Sequence, residues 1–214
     1  MPNPDSQIPY WDAAATTKTF THPLHPPWLD GLDRHAAILD YGCGYGRVMS
    51  DLAQYGFENL TGVDTSPEMI SRARREHPTL RFTTPDELPR SPASFDAALL
   101  FAVLTCIPAD EAQHRLITGL HRLLRPGGTL YISDLLLQPD ERNRRRYDRD
   151  ADAHGTYGVF STSDGAICRH HSRERLSTLL ADFDITESRT ITVPTMNGHA
   201  ATGIQILASK PSVT

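Results

Sequence analysis

The chain has little cysteine, no long apolar run and no excess of positive charge. Its three cysteines, Cys43, Cys106 and Cys168, are an odd and widely spaced set. That pattern matches neither a disulfide framework nor a four-cysteine zinc site, so reduced thiols are expected. No segment approaches the length of a membrane span, so no membrane partner is expected. Met1 to Asp12 lacks the basic flank and apolar core of a targeting signal. A cytoplasmic location is the expectation. The formal net charge of −5 argues against a polyanion-binding surface, which needs a face rich in Lys and Arg. Nucleic acid is therefore not an expected partner. The one basic stretch, Arg142 to Arg149, carries five arginines beside Glu141, Asp148 and Asp150, and reads as a solvated helix face. Ten histidines are present, but no pair of them shows a recognised metal-ligand spacing. No metal site is expected.

What is present is an alternation of short apolar runs and helical patterns, in 214 residues that suit one domain with one substantial core. Residues 1–35, rich in Pro, His and aromatics, read as an N-terminal cap. Ala36 to Leu39 is a short strand that ends in Asp40 and a glycine turn, and a helix follows through Val48, Met49, Leu52 and Ala53. Leu60 to Val63 is a second strand ending in Asp64. Ser66 then stands as N-cap before Pro67 at the first helical position. Leu80 to Thr83 is a third strand. Ser94 to Val103 is a fourth, and its near-continuous apolar character implies burial on both faces. A helix over Asp110 to Leu124 stops at Pro126-Gly127-Gly128, and Thr129 to Leu137 is a fifth strand.

This alternation predicts an α/β fold with a doubly wound, mostly parallel sheet as the core, residues 36–137. A polar insertion follows at 138–171. The closing segment, 172–214, holds a helix from about Ser172 and an antiparallel hairpin of Ile185 to Val193 with Ile204 to Lys210.

The turn Asp40-Tyr41-Gly42-Cys43-Gly44-Tyr45-Gly46 places glycines at alternate positions where a strand gives way to a helix. Ligands of open parallel sheets bind beyond the carboxyl ends of the strands, near the exposed N–H groups of the next helix. The turn alone suits nicotinamide, flavin, nucleotide or S-adenosylmethionine. Asp64, at the end of the second strand, suits the two hydroxyls of any adenosine ribose. Arg47 stands where the dinucleotide fingerprint has its third glycine, which weakens the nicotinamide reading. No Gly-Lys-Ser or Gly-Lys-Thr follows, which excludes a P-loop.

Four segments together carry a resemblance: Ile-Leu-Asp-Tyr-Gly-Cys-Gly-Tyr-Gly-Arg from Ile38, Gly-Val-Asp-Thr-Ser-Pro-Glu-Met from Gly62, Ser-Phe-Asp-Ala from Ser94 and Leu-Leu-Arg-Pro-Gly-Gly from Leu123. In order and spacing they resemble the motifs of class I S-adenosylmethionine-dependent methyltransferases, which have a Rossmann-like fold. The resemblance covers Ala36 to Leu137; the cap and the insertion lie outside it. It implies that Asp40, Gly42, Cys43 and Gly44 hold the methionine moiety, that Asp64 takes the ribose hydroxyls, and that Thr65 and Met69 pack along the adenine. It implies that Asp86, beside Glu87, accepts from the adenine amino group, and that Phe101 begins the loop approaching the reactive sulfonium. The expected cofactor is S-adenosylmethionine, with S-adenosylhomocysteine as product.

The variable segments then supply the remaining candidates. His170 and His171 precede the helix at Ser172 and are candidate general bases, with Tyr10 and His22 of the cap as further catalytic candidates. Tyr10, Trp11, His22 and His25 form either a lid or a structural arm. Trp11, Tyr147, Tyr157, Phe160 and Arg169 are candidate acceptor-pocket residues, with Arg169 suited to clamp a carboxylate. The expected partner is a small-molecule methyl acceptor with an O or N nucleophile, since no Asn-Pro-Pro-Tyr or Asp-Pro-Pro-Tyr follows the fourth strand. A homodimer is compatible with this reading. A cofactor-binding protein of the same fold with a non-methylating reaction or a scaffold role is the alternative.

Overall fold

A computed structural model of the chain describes residues 7–88 and 91–212, so the first six residues of the expected cap and the last two of the closing segment lie outside the described residues. The cap opens with α1 (Ile8–Ala14), which buries Trp11 and Ala14. A short 3-10 turn over Pro26–Trp28 then leads to β1 (Ile38–Tyr41). The core continues with α2 (Arg47–Gln54), β2 (Leu60–Val63), α3 (Pro67–Glu76) and β3 (Arg81–Thr83). β4 (Phe95–Phe101), α4 (Asp110–Leu123) and β5 (Leu124–Leu135) complete it. Ser66 caps α3 by accepting the Met69 N–H at 3.1 Å, with Pro67 following as expected.

The 138–171 segment is more ordered than a polar insertion suggests. It holds α5 (Glu141–His154), capped by Asp140 and ended by left-handed Gly155, and a hairpin of β6 (Val159–Ser161) with β7 (Ile167–Arg169). Two backbone bonds tie its end to the core, Leu137 N–H to His171 O at 2.8 Å and His171 N–H to Leu135 O at 3.1 Å. α6 (Arg173–Leu179), β8 (Asp184–Pro194) and β9 (Ala200–Ser209) close the chain.

The main sheet runs β3-β2-β1-β4-β5-β9-β8, with the first five strands parallel and β9 and β8 antiparallel. Side chains alternate across its faces. Leu39 and Leu100 pack with Ile117 and Leu120 of α4 and Leu176 of α6 on one face. Ile38 and Leu99 pack with Met49 and Leu52 of α2 and Ile70 of α3 on the other. Burial from both sides is why β4 is apolar along most of its length.

Two boundaries differ from expectation. β5 begins at Leu124, before the Pro-Gly-Gly: Leu124 pairs with Phe95 and Thr129 with Ala97, and the residues between them bulge out. The bulge is held by backbone bonds between Gly127, Gly128 and Lys210. β9 starts at Ala200 because Ala201 is buried with Ile191 and Val193, which extends the hairpin toward its turn. No helix among the described residues is long and apolar enough to cross a membrane.

Candidate active site

The chain leaves β1 toward β2 and β3, then returns to place β4 on the other side of β1. The crevice at this reversal, beyond Tyr41 and Phe101, is where open α/β sheets bind ligands. Gly42 is left-handed at φ 79°, and a Cβ there would collide with the Val103 side chain just after β4. Only glycine permits that approach. Gly44, at φ 54°, bears the same relation to the ring of Phe20, so the cap sits directly on the turn.

Two carboxylates flank the turn. Asp64 is anchored on both oxygens, Oδ2 accepting from Gly44 N–H at 2.8 Å and Oδ1 from Ser66 N–H at 2.9 Å. Burial still holds its pKa above the ordinary value, against those bonds. Asp40 is buried, and its Oδ2 has no hydrogen-bond partner among the described residues. Burial pushes its pKa up to about 7, with Arg47 opposing and Asp64 adding to the shift. Asp40, Cys43 and Arg47 line a small recess beside the crevice that shares Gly42, His22 and Phe101 with the main cavity.

That main cavity holds about 800 Å³, within the range of small-molecule sites. Of the expected residues, Tyr10, Trp11, His22, Gly42, Asp64, Thr65, Met69, Phe101, Phe160 and His170 line it. The cap forms one wall and is tethered to the insertion. Gln7 bonds both backbone groups of Ile167, Tyr10 Oη donates to Asp164 Oδ2 at 3.0 Å, and Lys18 Nζ reaches the same oxygen at 2.6 Å. The hydrogen bond from Lys18 is the main reason Asp164 is held down at about 2. The tethers hold the cap as a wall, and the Tyr10 hydroxyl, with its pKa raised by burial, is engaged with Asp164.

His170 and Tyr147 form a pair that neither residue's position in the sequence signals. Tyr147 is fully buried, and its Oη lies 2.6 Å from His170 Nδ1. The same oxygen accepts the Gln138 N–H at 3.2 Å, which leaves the phenolic proton for Nδ1. This arrangement suits the Nε2–H tautomer of His170, a residue of the cavity lining. Burial foremost, and then the charge of Arg146, lower its pKa to about 3. His22 is likewise held neutral, at about 4, by burial and then Arg47, and its Nδ1 meets Ser133 Oγ at 2.9 Å.

Several expected site residues stand elsewhere. His171 is buried away from the cavity, 3.9 Å from Asp134, and both ring nitrogens lack partners among the described residues. The preceding backbone bonds turn it into the core, so it does not stand beside His170 as a second base. Arg169 is buried against Asp110 at 2.9 Å and the Pro108 carbonyl at 2.9 Å, so no carboxylate clamp forms there. Tyr157 is half-exposed outside the lining. Asp86 and Glu87 sit exposed on the 3-10 turn after β3, where Glu87 accepts from Thr83 Oγ1.

Conversely, the basic stretch is not merely solvated. Arg142, Arg145, Arg146 and Arg149 line the cavity, and only Arg144 of the five faces elsewhere. Their spacing of three and four residues puts them on one helix face, a signal legible in the sequence once the cavity is known. Phe20, Cys106, Cys168 and Asp164 were also missed. Ala102 lies in the loop after β4 that the resemblance places near the sulfonium; it lines the wall in a left-handed conformation at φ 58°, with its N–H bonded to Ser133 O at 2.7 Å. Nothing in local composition marks these residues, because loop tethering and the β4 exit bring them together.

A glycine turn at the sheet reversal, an anchored carboxylate and a largely apolar cavity thus stand together where open α/β sheets bind ligands. Comparison with known proteins agrees in fold and motif. A methyltransferase domain model matches residues 39–132. A ubiquinone biosynthesis O-methyltransferase of Xanthomonas campestris pv. campestris is 32% identical over 142 residues, 61% of this chain and 57% of that protein. The chain thus spans little more than half the length of that relative. Among solved structures, a SAM-dependent methyltransferase of Methanosarcina mazei is 27% identical with a TM-score of 0.83, covering 89% of this chain and 99% of the other. A Burkholderia thailandensis 1,6-didemethyltoxoflavin-N1-methyltransferase, solved with bound 1,6-didemethyltoxoflavin and S-adenosylhomocysteine, shares the fold at a TM-score of 0.62 and 23% identity over 96% of this chain and 80% of the other. Over the glycine turn and the first five strands the chain is similar to S-adenosylmethionine-dependent methyltransferases, in motif and in fold.

Proposed function

We propose that this chain binds S-adenosylmethionine and transfers its methyl group to an oxygen or nitrogen of a small molecule. The observation that carries the reading is the pairing of Asp40, a buried carboxylate with an unpartnered oxygen, with the glycine turn. A buried carboxylate oxygen without a donor is costly, and an ammonium group is the kind of ligand that offsets that cost. Asp40 and the backbone about Gly42 and Gly44 would hold the methionine end, Asp64 the ribose, and Thr65 and Met69 the adenine. Bound there, S-adenosylmethionine supplies a methyl group already activated by its sulfonium charge.

The chain's residues then have to position the acceptor and exclude water. Trp11 and Phe20 close the cavity from the cap side. His170 offers Nε2–H as a hydrogen-bond donor to the acceptor, with Tyr147 fixing its tautomer. With pKa values of about 3 and 4, His170 and His22 take up no proton near neutral pH. The reading therefore assigns His170 to positioning rather than to proton abstraction.

The test is calorimetric titration of the full chain with S-adenosylmethionine, S-adenosylhomocysteine and NAD. Binding of both sulfur nucleosides but not NAD is expected, and Asp64→Ala should weaken it by about 1–3 kcal/mol, the cost of lost charge-assisted hydrogen bonds. Binding of NAD alone, or of none of the three, would remove the proposal.

A further inference from the structure

The arginine face of α5 has a use that cofactor binding does not account for. Arg145 pairs with Glu141, and Arg149 with Asp150 through two N–H···O bonds of 2.6 and 2.9 Å. Arg142 and Arg146, one helical turn apart, have no carboxylate within 4 Å among the described residues. Like charges at that spacing disfavour a helix.

Arg146 is the more unusual of the two. It is half-buried, its guanidinium carbon lies 3.5 Å above the centre of the Phe160 ring, and its Nε is buried without a hydrogen-bond partner. A partly desolvated cation without a counter-ion is unfavourable. The carboxylates in the cavity lining do not serve it, because Asp64 is engaged by two backbone N–H groups and Asp164 by Lys18 and Tyr10. In a chain of net charge −5, this wall is basic.

From this arrangement we infer that the small-molecule acceptor carries a carboxylate, seated on the Arg146 guanidinium with Arg142 at the rim, and that the remainder of the molecule is apolar. The Arg146 guanidinium lies over the Phe160 ring in the cavity lining, with Tyr147 as its one side-chain hydrogen-bond partner among the described residues, and a planar carboxylate matches a guanidinium edge with two parallel hydrogen bonds. A phosphate gains less, since it favours added backbone donors, and Asp140 already occupies the Asn143 N–H at the start of α5. The apolar body follows from Trp11, Val103, Ile107 and Leu116 elsewhere in the lining. The carboxylate clamp expected of Arg169 thus falls to Arg146. This inference rests on the methyltransferase reading and narrows its substrate class.

The experiment titrates the full chain first with S-adenosylhomocysteine. The loaded protein is then titrated with three acid and amide pairs: benzoate and benzamide, 1-naphthoate and 1-naphthamide, decanoate and decanamide. At least one acid should bind roughly ten- to a hundred-fold more tightly than its amide, as expected for a charge-assisted pair. Arg146→Gln should abolish that preference, and Arg146→Lys should restore part of it. The exposed Arg142→Gln, which leaves the Phe160 contact intact, should reduce it severalfold and serves if Arg146→Gln does not fold. Equal binding of acid and amide in every pair, or no acid bound at about 10 mM, tenfold weaker than a millimolar Kd, overturns the inference. Tighter binding of 1-naphthyl phosphate than of 1-naphthoate through the same arginines overturns the carboxylate assignment. Failure of S-adenosylhomocysteine to bind in the first titration instead removes the underlying reading.

Discussion

Acidification should weaken S-adenosylhomocysteine binding through one side chain, Asp40. Its carboxyl is pushed up to about 7 mainly by burial, and Oδ2 has no partner. In the free protein it is therefore protonated below that pH and ionised above it. An ammonium beside it favours the ionised form and lowers the pKa in the complex. Below about 7, binding must then expel a proton, and each pH unit costs about 1.4 kcal/mol, or tenfold in Kd. From about pH 7 to about pH 5 the affinity should fall roughly a hundred-fold, and above about pH 7.5 it should level off. Asp40→Asn should flatten the profile at the weak end. Calorimetry in two buffers of different ionisation enthalpy reads both the Kd and the released proton. A Kd independent of pH, or a slope that survives Asp40→Asn, would refute the assignment of Asp40 to the ligand's ammonium.

Two further outcomes follow from the histidines. His170→Ala should slow turnover roughly ten- to a hundred-fold, the scale of one lost hydrogen bond at a reacting group, with cofactor affinity kept; Tyr147→Phe should give a smaller loss of kcat, and unchanged rates in both would leave the pair structural. His22, His170 and His171, at about 4, 3 and 3, all lie below the ordinary histidine value of 6.5. The unfolded chain binds more protons there, so their contribution to stability is complete above about pH 6.5 and is lost as the pH falls toward about 3. Asp40 and Asp134, both raised to about 7, act in the opposite sense over that window. With three groups against two, Tm should fall between about pH 7 and about pH 4.5, and less in His171→Leu. A Tm that rises on acidification would contradict this balance.

The core was legible because its signals are local. Ser66-Pro67 starts a helix by capping chemistry, Ile38 to Tyr41 and Phe95 to Phe101 are apolar because both faces are covered, and Gly42 and Gly44 serve a turn that other residues cannot make. The cavity wall was less legible because it is assembled over long sequence distances. Gln7 reaches Ile167, Tyr10 reaches Asp164, and Tyr147 reaches His170. Adjacent residues also separate there: the Leu137 and Leu135 backbone bonds of His171 turn its ring into the core while His170 lines the cavity. The same reasoning explains Arg169 and Arg146. Composition favours either as an anion clamp, and only the positions of Asp110 and Phe160 decide which is already engaged.

Methyl transfer itself is the claim to test most directly. The full chain would be incubated with S-adenosylmethionine labelled in its methyl group and a panel of hydroxy- and amino-substituted aromatic and aliphatic acids together with the amide of each, and the products analysed by mass spectrometry. The account predicts label on an acid from the panel, matched by S-adenosylhomocysteine formation and lost in Asp64→Ala. Label only on uncharged members of the panel, or bound cofactor that is never converted to S-adenosylhomocysteine with any member, would contradict it.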